Sequence, residues 1–402
     1  MKVLMLGWEL PPHNSGGLGV ASYNICRSLQ KRNIEIEFVL PYTSNYNFDF
    51  MNVIPAIPQS GIEFMMSGSS YDSFKYIDEN NNEIWVDFSD QEKLYETAVL
   101  KIIETKKYDI VHAHDWITFR TALRVKERKN IPVVLHVHSV ESDRSGGNQP
   151  NPLHFEIESL AFRLADSIVA VSNHTKNKII HDYDIPADKI SVIHNSINPE
   201  DFVIDINESN TYTYLRQLKS QGYKIVTNIG RMTIQKGLTN LLYAAKEVIY
   251  YNPKTFFLLV GNGEQFLELV TLAADLGIGD KVLFTDFQRG KNLRDAFAIG
   301  DLFVMPSVSE PFGLTALESI GYGVPALISK QSGVAEVINN FLKVDFWDIK
   351  EMTNQISSTL RYDTLKNELY NNSYREFNNL SWDHTAEKLD NLYHYHIRAG
   401  AV

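Results

Sequence analysis

Residues 309–318, with the sequence SEPFGLTALE, combine two carboxylates with the start of a predicted helix. They follow the apolar run 301–306, which predicts a buried strand, so Glu310 lies in a loop at the carboxyl end of that strand. Glu318 lies one turn inside the helix. The backbone N–H groups expected to be free at the helix start belong to Gly313, Leu314 and Thr315. Helix N-termini attract phosphate and carboxylates accept hydrogen bonds from sugar hydroxyls, so the segment predicts a ligand that carries both groups.

A second loop brings two cations to the end of another predicted strand, 224–229. Arg231 and Lys236 bracket this loop, and a helix is predicted to begin near Lys236. Arginine offers a planar fork to phosphate and lysine a point charge, so both side chains can converge on one anion. A surface pair that serves only the turn is the alternative, but the position at a strand end favours a phosphate site.

Glycines occur in two further loops at predicted strand ends. Gly16 and Gly17 follow the first strand, and Gly261 lies in the loop 260–264. Glycines let a turn approach a ligand closely and leave its N–H groups pointing outward. The first loop is not a dinucleotide fingerprint, because Ser22 stands at the position of the third glycine. For both loops, ligand contact and tight packing between strand and helix remain open.

Two pairs of histidines alternate along predicted strands, His112 with His114 and His136 with His138. Alternation with a period of two places the members of each pair on one face of the strand. We expect His112 and His136 to be hydrogen-bonded core residues. We expect His114 and His138, nearer the carboxyl ends, to line a cleft. Two such pairs could bind zinc, but strand ends are polar without any ion, and no metal site is predicted.

The elements that must position these residues alternate between short apolar runs and amphipathic stretches. This alternation predicts parallel strands joined by right-handed helical crossovers. Strands are predicted over 2–7, 36–40, 109–114, 132–138, 167–172, 190–194, 224–229, 255–260, 281–285, 301–305 and 324–328. Helices are predicted over 19–32, 91–106, 237–250, 264–276, 314–321 and 381–397.

The chain is long enough for two domains, since 402 residues exceed what one hydrophobic core usually fills. The strand–helix alternation runs once along the first half and then starts again. The polar stretch between the two runs, 195–221, predicts the domain junction. Its polar residues include Asn195, Asn198, Asn207, Ser209 and Asn210. Because open α/β sheets bind ligands at their strand carboxyl ends, a cleft between two such domains is the expected site.

Charge and composition limit the classes of partner. Lysine and arginine total 38 against 49 acidic residues, a net charge of −11 that disfavours broad binding to nucleic acid or anionic lipid. Cys26 is the single cysteine, which excludes an intramolecular disulfide. The sequence starts without a signal-peptide pattern, and no run reaches the roughly 18 apolar residues of a membrane helix. We therefore expect a cytoplasmic protein without stable membrane association; its oligomeric state is open.

Together these motifs resemble those of the retaining GT-B glycosyltransferases of family four, the glycogen- and starch-synthase-like enzymes. The resemblance covers nearly the whole chain. Its motifs are the glycine loop 16–19, the histidine strand end 112–116, Arg231 with Lys236 and Gly237, the block 306–318 and the sequence GVP at 323–325.

The resemblance implies an α/β protein of GT-B architecture, with two Rossmann-like domains facing across a cleft and a C-terminal helix that crosses back to the first domain. The first domain, on the acceptor side, is then 1–198 plus 381–402, and the second, 199–380, binds the nucleotide sugar. The resemblance also implies a nucleotide-diphosphate sugar as the donor, by preference ADP- or UDP-glucose. As the acceptor it implies a carbohydrate or another hydroxyl compound, with a glucan among the candidates. No cofactor or metal is implied.

The resemblance also assigns roles to individual residues. In the second domain, Arg231 and Lys236 would bind the diphosphate, Glu310 the hydroxyls of the donor sugar and Glu318 the ribose. His114 would lie near the reacting carbon as the fourth catalytic residue. Further donor contacts are assigned to Gly16, Gly17, Gly261, Phe312, Gly313, Leu314 and Thr315. The acceptor side is assigned to Glu9, Asp115 and His138.

Two departures separate the chain from glycogen synthases. Residues 13–15 read HNS where those enzymes usually carry a lysine, and 139–152 do not follow their acceptor-side pattern. Both departures concern the acceptor rather than glycosyl transfer. A sugar-nucleotide epimerase of the same architecture and a non-catalytic sugar-nucleotide-binding protein are the alternative functions.

Overall fold

The chain forms two compact units in a computed structural model that describes residues 1–14, 16–42, 46–56, 63–65, 74–77, 83–86, 88–202 and 211–399. The first unit contains Met1–Ser142, Pro150–Asn195 and Trp382–Val402. The second contains Asp143–Gln149 and Ser196–Ser381. The division therefore falls within the polar stretch 195–221, of which Asn207, Ser209 and Asn210 lie outside the described residues.

The strands of the first unit are β1 (Lys2–Leu6), β2 (Glu35–Leu40), β3 (Asn52–Pro55), β4 (Glu63–Met65), β5 (Phe74–Ile77), β6 (Glu83–Val86), β7 (Ile110–His114), β8 (Val133–Val137), β9 (Ser167–Ala170) and β10 (Ile190–Val192). Seven of these described strands form a parallel sheet in the order β10-β9-β8-β7-β1-β2-β3. Strands β4, β5 and β6 form a separate antiparallel sheet.

The described helices that follow the strands of the first unit in sequence are α1 (Gly17–Gln30), α2 (Phe88–Thr105), α3 (Trp116–Lys129), α4 (Glu141–Arg144), α5 (Pro152–Leu164) and α6 (Asn173–Tyr183). The short helix α4 crosses the division between the units, which falls after Ser142. The central strands are apolar without alternation because helices cover both faces of a parallel sheet. Strand β7 is accordingly buried along its whole length.

The second unit has its own parallel sheet. Its strands are β11 (Lys224–Ile229), β12 (Thr255–Val260), β13 (Val282–Thr285), β14 (Leu302–Met305), β15 (Ala326–Ser329) and β16 (Leu342–Val344). They are arranged in the order β13-β12-β11-β14-β15-β16. Counted from β11, this is the doubly wound order 3-2-1-4-5-6, whose direction reverses between β11 and β14.

The described helices of the second unit are α7 (Thr213–Ser220), α8 (Leu238–Tyr251), α9 (Phe266–Asp275), α10 (Gly290–Ala298), α11 (Leu314–Gly321), α12 (Ile349–Arg361) and α13 (Asp363–Phe377). The helices α8, α9 and α12 pack on the sheet through apolar residues such as Leu241, Leu269 and Met352. These form a core with apolar strand residues such as Phe257.

The last helix, α14 (Trp382–Ala399), belongs to the first unit. It buries Trp382, Leu389 and Tyr393, the apolar stripe visible in the sequence. Asp383 accepts a hydrogen bond from Lys31 Nζ at 3.0 Å and Asp390 one from Arg32 Nε at 2.8 Å, beside the end of α1. The predicted return of the C-terminal helix to the first domain is confirmed.

The α/β class and the predicted strands are confirmed, with ends shifted by one or two residues. The sequence analysis missed β3, β16 and the antiparallel sheet of β4–β6, which are three or four residues long and carry little apolar pattern. Cys26 is buried in α1, as expected of a small apolar residue. Among the described residues, no helix is both long and apolar enough to span a membrane.

Candidate functional site

The loops after β11 and β14 lie side by side in the second unit, because these strands are neighbours in the sheet. This is the point at which the strand order reverses, where doubly wound sheets bind their ligands. The loop after β11 contains the short 3₁₀ helix Ile234–Lys236. The loop after β14 leads through Glu310 to helix α11. The two predicted motifs of the second domain therefore meet at one sheet edge.

The ammonium of Lys236 and the carboxylate of Glu310 form an ion pair in this position. Lys236 Nζ lies 2.7 Å from Glu310 Oε2, and the side chains are 22% and 9% exposed. The Ser307 hydroxyl donates a hydrogen bond to the same carboxylate oxygen at 3.0 Å. Sequence analysis missed this role of Ser307, although its place three residues before Glu310 is a usable signal.

Backbone hydrogen bonds hold the Glu310 loop on both sides. The Glu310 N–H donates to the Gln331 carbonyl at 2.9 Å, and the Glu310 carbonyl accepts from the Gly333 N–H at 2.9 Å. On the other side, the Val308 N–H donates to the Gln235 carbonyl at 2.9 Å. Backbone hydrogen bonds thus connect the loops after β11, β14 and β15 and hold the backbone of Glu310 in place.

Gly237 allows the loops after β11 and β14 to come together. Its φ of +66° lies in the left-handed region, and a Cβ atom there would lie 2.2 Å from the Pro306 carbonyl oxygen. Only glycine tolerates both conditions without strain. The residue after Lys236 is therefore required for the approach that brings Lys236 to Glu310.

The N-terminus of α11 adds backbone donors beside the ion pair. Gly313 precedes the helix with a φ of +107°, and a Cβ on it would lie 3.2 Å from Glu310 Cγ. The N–H groups of the first turn, including those of Leu314 and Thr315, have no acceptor within the helix. Phe312 is buried, and its carbonyl accepts a hydrogen bond from Val334. Glu310 thus contacts Lys236 and lies against the start of α11.

Glu318 lies one turn into α11 and is half-buried. Burial raises the pKa of its carboxyl group to about 7. A carboxylic acid with such a pKa exchanges its proton near neutral pH and can either donate or accept a hydrogen bond. It therefore has the chemistry needed to bind a hydroxyl, in a pH-dependent way.

Two of the residues predicted to bind the nucleotide sugar, Arg231 and Gly261, have surroundings that do not by themselves indicate a ligand. Arg231 is half-buried at the end of β11, and no ion pair joins it to a carboxylate of the described residues. Gly261 has a φ of +137°, and a Cβ there would lie 1.9 Å from the Gly230 carbonyl oxygen. Close packing of two strand ends accounts for Gly261, and a ligand contact at either residue stays a prediction.

In the first unit, the glycine loop follows β1 and ends in helix α1. Gly16 is the N-cap residue and Gly17 the first residue of the helix. Glu9 is buried, and its Oε1 accepts a hydrogen bond from the Gly19 N–H at 3.0 Å. The carboxylate that was assigned to the acceptor side thus also caps α1, an interaction that the macrodipole of the helix favours.

The four histidines form one stack of rings on the sheet of the first unit. Ring centroids of His112 and His114 lie 4.5 Å apart, and those of His136 and His138 lie 4.4 Å apart. His112 hydrogen-bonds His136 at 3.0 Å and, at its other nitrogen, Tyr393 of α14. The prediction that His112 and His136 are hydrogen-bonded core residues is confirmed.

His114 is buried in the same stack. Its Nδ1 lies 3.0 Å from His138 Nε2, and its Nε2 lies 3.0 Å from the sulfur of Met5. The His114 side chain has no exposed surface, whereas His138 is half-buried. Contact of His114 with a donor sugar, and of His138 with an acceptor, stays a prediction.

The ring geometry of the histidine stack does not suit a metal ion. Ligand atoms of His112, His114 and His136 lie within 4.8 Å of one another. Their rings are nearly parallel, at 16° and 14° between neighbours, so the nitrogen lone pairs do not converge on one point. Among the described residues, the one ring nitrogen of these three without a partner is His136 Nε2. A hydrogen-bonded stack accounts for the other ring nitrogens.

Asp115 connects this stack to the following loop. It is the N-cap residue of α3, and its buried Oδ1 accepts hydrogen bonds from the N–H groups of His138 at 2.6 Å and Ser139 at 3.2 Å. Its φ of +59° is rare for a residue with a side chain. Asp115 therefore fixes the loop after β8, and an acceptor contact at Asp115 stays a prediction.

Two family models match adjoining parts of the chain. The model described as Glycosyltransferase Family 4 matches residues 15–201, and the one described as Glycosyl transferases group 1 matches residues 214–376. Together with the two doubly wound units, these matches define a glycosyltransferase of GT-B type. The two matched segments together span most of the chain.

Similar proteins support this assignment along the full length. An uncharacterized glycosyltransferase of Methanocaldococcus jannaschii is 28% identical over 408 residues, which cover 98% of each chain. The structure of sucrose-phosphate synthase from Thermosynechococcus elongatus matches with a TM-score of 0.77 at 18% identity, over 99% of this chain and all of the other. The Anabaena protein HepE in complex with UDP-glucose matches with a TM-score of 0.71 at 19% identity, over 98% and 99%. The predicted GT-B architecture is confirmed.

Proposed function

We propose that the chain is a retaining hexosyltransferase that uses a nucleotide-diphosphate sugar, with UDP- or ADP-glucose as the preferred donor. The observation that carries this proposal is the Lys236–Glu310 pair beside the N-terminus of α11. It offers a cation and backbone donors for a diphosphate, and a carboxylate for sugar hydroxyls. The UDP-glucose complex of the similarly folded HepE supports the choice of donor.

In the proposed reaction, the bond between the anomeric carbon and the diphosphate oxygen breaks, and a bond from that carbon to the acceptor hydroxyl oxygen forms. The acceptor proton passes to the departing diphosphate. Lys236 and the α11 N–H groups stabilise the negative charge that develops on the leaving group, and they are in place before the reaction. Glu310 orients the hexose through its hydroxyls. No metal is required in this scheme, since these groups supply the positive charge.

The nucleotide is tested by thermal shift with ADP-, UDP- and GDP-glucose. A ligand that binds only the native state raises the melting temperature according to its affinity and concentration. We expect one nucleotide to give a clear shift that EDTA leaves unchanged. An epimerised donor that appears without any acceptor would assign the chain to the sugar-nucleotide epimerases instead.

Transfer itself is tested with Lys236→Ala. We expect kcat/KM to fall by about 10²–10³, the usual effect of removing one preorganised donor to a developing anion. Lys246→Ala, on an exposed position of α8, is the matched control and should turn over normally. Circular dichroism and melting temperature show whether both variants are folded. Near-normal turnover of a folded Lys236→Ala protein would remove the phosphate-binding role.

A further inference from the structure

We propose that Asp143 is a positioning residue for the proposed transfer, which anchors the loop of Glu310 through the side chain of Ser309. The same contact reaches the loop of Lys236 through Gln235. Asp143 therefore holds the two loops of the candidate site together without binding substrate itself. Its effect on turnover rests on the proposed function, whereas the anchoring can be measured without any substrate.

The segment 143–149 lies in the second unit, although it follows β8 of the first unit in sequence. Gly146 packs on the short 3₁₀ helix after β11. Its φ is +58°, and a Cβ atom there would lie 2.7 Å from Ile234 Cγ2 and 3.1 Å from the Gln235 nitrogen. The Gly146 N–H donates to the Asp143 carbonyl at 3.1 Å and so closes a turn. The segment is therefore fitted closely to the backbone of the loop after β11.

Buried hydrogen bonds link Asp143 to both loops. The Ser309 hydroxyl donates to Asp143 Oδ1 at 2.5 Å, and the Ser309 carbonyl accepts from Gln235 Nε2 at 3.0 Å. Asp143 has no exposed surface, and Ser309 and Gln235 are at most 5% exposed. Ser309 directly precedes Glu310, and Gln235 directly precedes Lys236. Each link therefore lies one residue away from a charged side chain of the candidate site.

The contact between Asp143 and Ser309 is strong because it is both charged and shielded from water. A hydrogen bond from a hydroxyl to a carboxylate is shorter and roughly twice as strong as one between neutral groups. The distance of 2.5 Å fits this class. A buried carboxylate also needs its hydrogen bonds to offset the loss of hydration, so the pair resists separation.

A second attachment of the same loop makes turnover, rather than folding, the property that depends on Asp143. The Glu310 N–H and carbonyl bond to Gln331 and Gly333, and we expect them to keep these partners when Asp143 is removed. The loop then stays in place but loses the anchor beside Glu310. Displacing a catalytic group by about 1 Å can lower a rate about 10²-fold.

The role in turnover is tested with Asp143→Ala, Ser309→Ala and the double variant. We expect kcat to fall about tenfold in each, while the Kd for UDP stays within about twofold, because neither side chain is assigned a contact with the nucleotide. Since both substitutions remove one shared contact, the double variant should lose no more than the larger of the two single losses. Asp143→Asn, whose Oδ1 can still accept the Ser309 hydroxyl, should recover part of the rate.

Asp301→Asn is the matched control for a purely structural role. Asp301 is also a buried aspartate of the second unit, and its Oδ2 accepts from the Ile225 N–H at 2.8 Å, at the amino ends of β14 and β11. We expect this variant to lower the melting temperature and to leave kcat unchanged.

Hydrogen exchange measures the anchoring without substrate. The Val308 N–H donates to the Gln235 carbonyl on the Asp143 side of the loop. In both single alanine variants this amide should exchange about tenfold faster, while the amides of β16 keep the wild-type rate. Should Asp143→Ala fail to fold, Ser309→Ala, which removes only a hydroxyl oxygen, decides both measurements.

Three results would overturn the positioning role: losses that multiply in the double variant, a kcat that falls as far in Asp301→Asn as in Asp143→Ala, or wild-type turnover and exchange in both alanine variants. Wild-type transfer combined with the third result would refute the positioning role alone. If the wild-type protein transfers from no nucleotide sugar, yet Val308 exchanges faster in the alanine variants, the proposed function is refuted and the anchoring stands.

Discussion

Lys236 and Glu310 are joined by an ion pair of 2.7 Å although 74 positions separate them in the sequence. Each is largely shielded from water, and each neutralises the other in the ligand-free protein. Under the proposed function, a diphosphate would compete with Glu310 for the ammonium of Lys236, so the ion pair would weaken diphosphate binding.

Replacing Glu310 by Gln should separate binding from turnover. Without the competing carboxylate, Lys236 can bind phosphate fully, so we expect the affinity for UDP to stay equal or to rise. We expect transfer to fall at least about tenfold, because an amide is a weaker acceptor for the hydroxyls of the hexose than a carboxylate. Calorimetry with UDP and initial rates with UDP-glucose measure the two effects. Glu247→Gln, on the exposed face of α8, is the control. A parallel loss of UDP affinity and rate would contradict this role.

Glu318 should make nucleotide binding dependent on pH. Burial raises its pKa to about 7 from 4.5, so the free protein is most stable with this group protonated and loses that stability as pH rises from about 4.5 through 7. The ionised carboxylate is the better acceptor for ribose hydroxyls, so affinity for UDP-glucose should increase between pH 6 and pH 8. UDP-glucose is the suitable ligand because its diphosphate carries no proton that titrates in this range. Glu318→Gln should give a flat profile, and an unchanged slope in that variant would exclude the assignment.

Gly237→Ala should disrupt the approach of the loops after β11 and β14. The new Cβ would meet the Pro306 carbonyl oxygen at 2.2 Å. Gly277→Ala is a matched control, because its φ of +72° is similar to the +66° of Gly237, while a Cβ there meets nothing within 4 Å. We expect Gly277→Ala to cost about 1 kcal/mol of unfolding free energy and Gly237→Ala several times more. Urea denaturation measures both, and equal costs would mean that the loops relax around the methyl group.

The histidine stack should make the first unit sensitive to acid. Burial lowers the pKa of His112 and of His138 to about 3, against 6.5 in an unfolded chain. The stack therefore contributes stability that is present above pH 6.5 and is lost as pH falls towards 3, by up to about 1.4 kcal/mol per pH unit for each histidine. We expect His138→Gln to reduce the slope of unfolding free energy against pH. His181→Gln, exposed at the end of α6, should leave that slope unchanged.

Much of the secondary structure could be predicted from local patterns of apolar residues in the sequence. Apolar runs such as Thr255–Val260 predicted strands because a strand covered on both faces needs no polar alternation. The loops of Lys236 and Glu310 could be located for the same reason, since each follows such a run. Elements of three or four residues, such as β16, carry too short a pattern to separate from loops.

Contacts between residues that are far apart in the sequence could not be predicted from local sequence patterns. The segment 143–149 lies in the first half of the sequence, yet it belongs to the second unit, where the Ser309 hydroxyl donates to Asp143 Oδ1 at 2.5 Å. The burial of His114 and its contact with Met5 depend on the pairing of β7 with β1, which no spacing reveals.

The sequence by itself determined the class of the protein: alternating buried strands and helices in two runs, with cations, glycines and carboxylates after the strands. Hydrophobic period and turn chemistry are local properties, so they are visible in a single chain. Only the tertiary structure decided which of those strand ends are neighbours. The order of the strands is set by backbone pairing and packing across the whole sheet, and that order brings Lys236 to Glu310 and stacks four imidazoles.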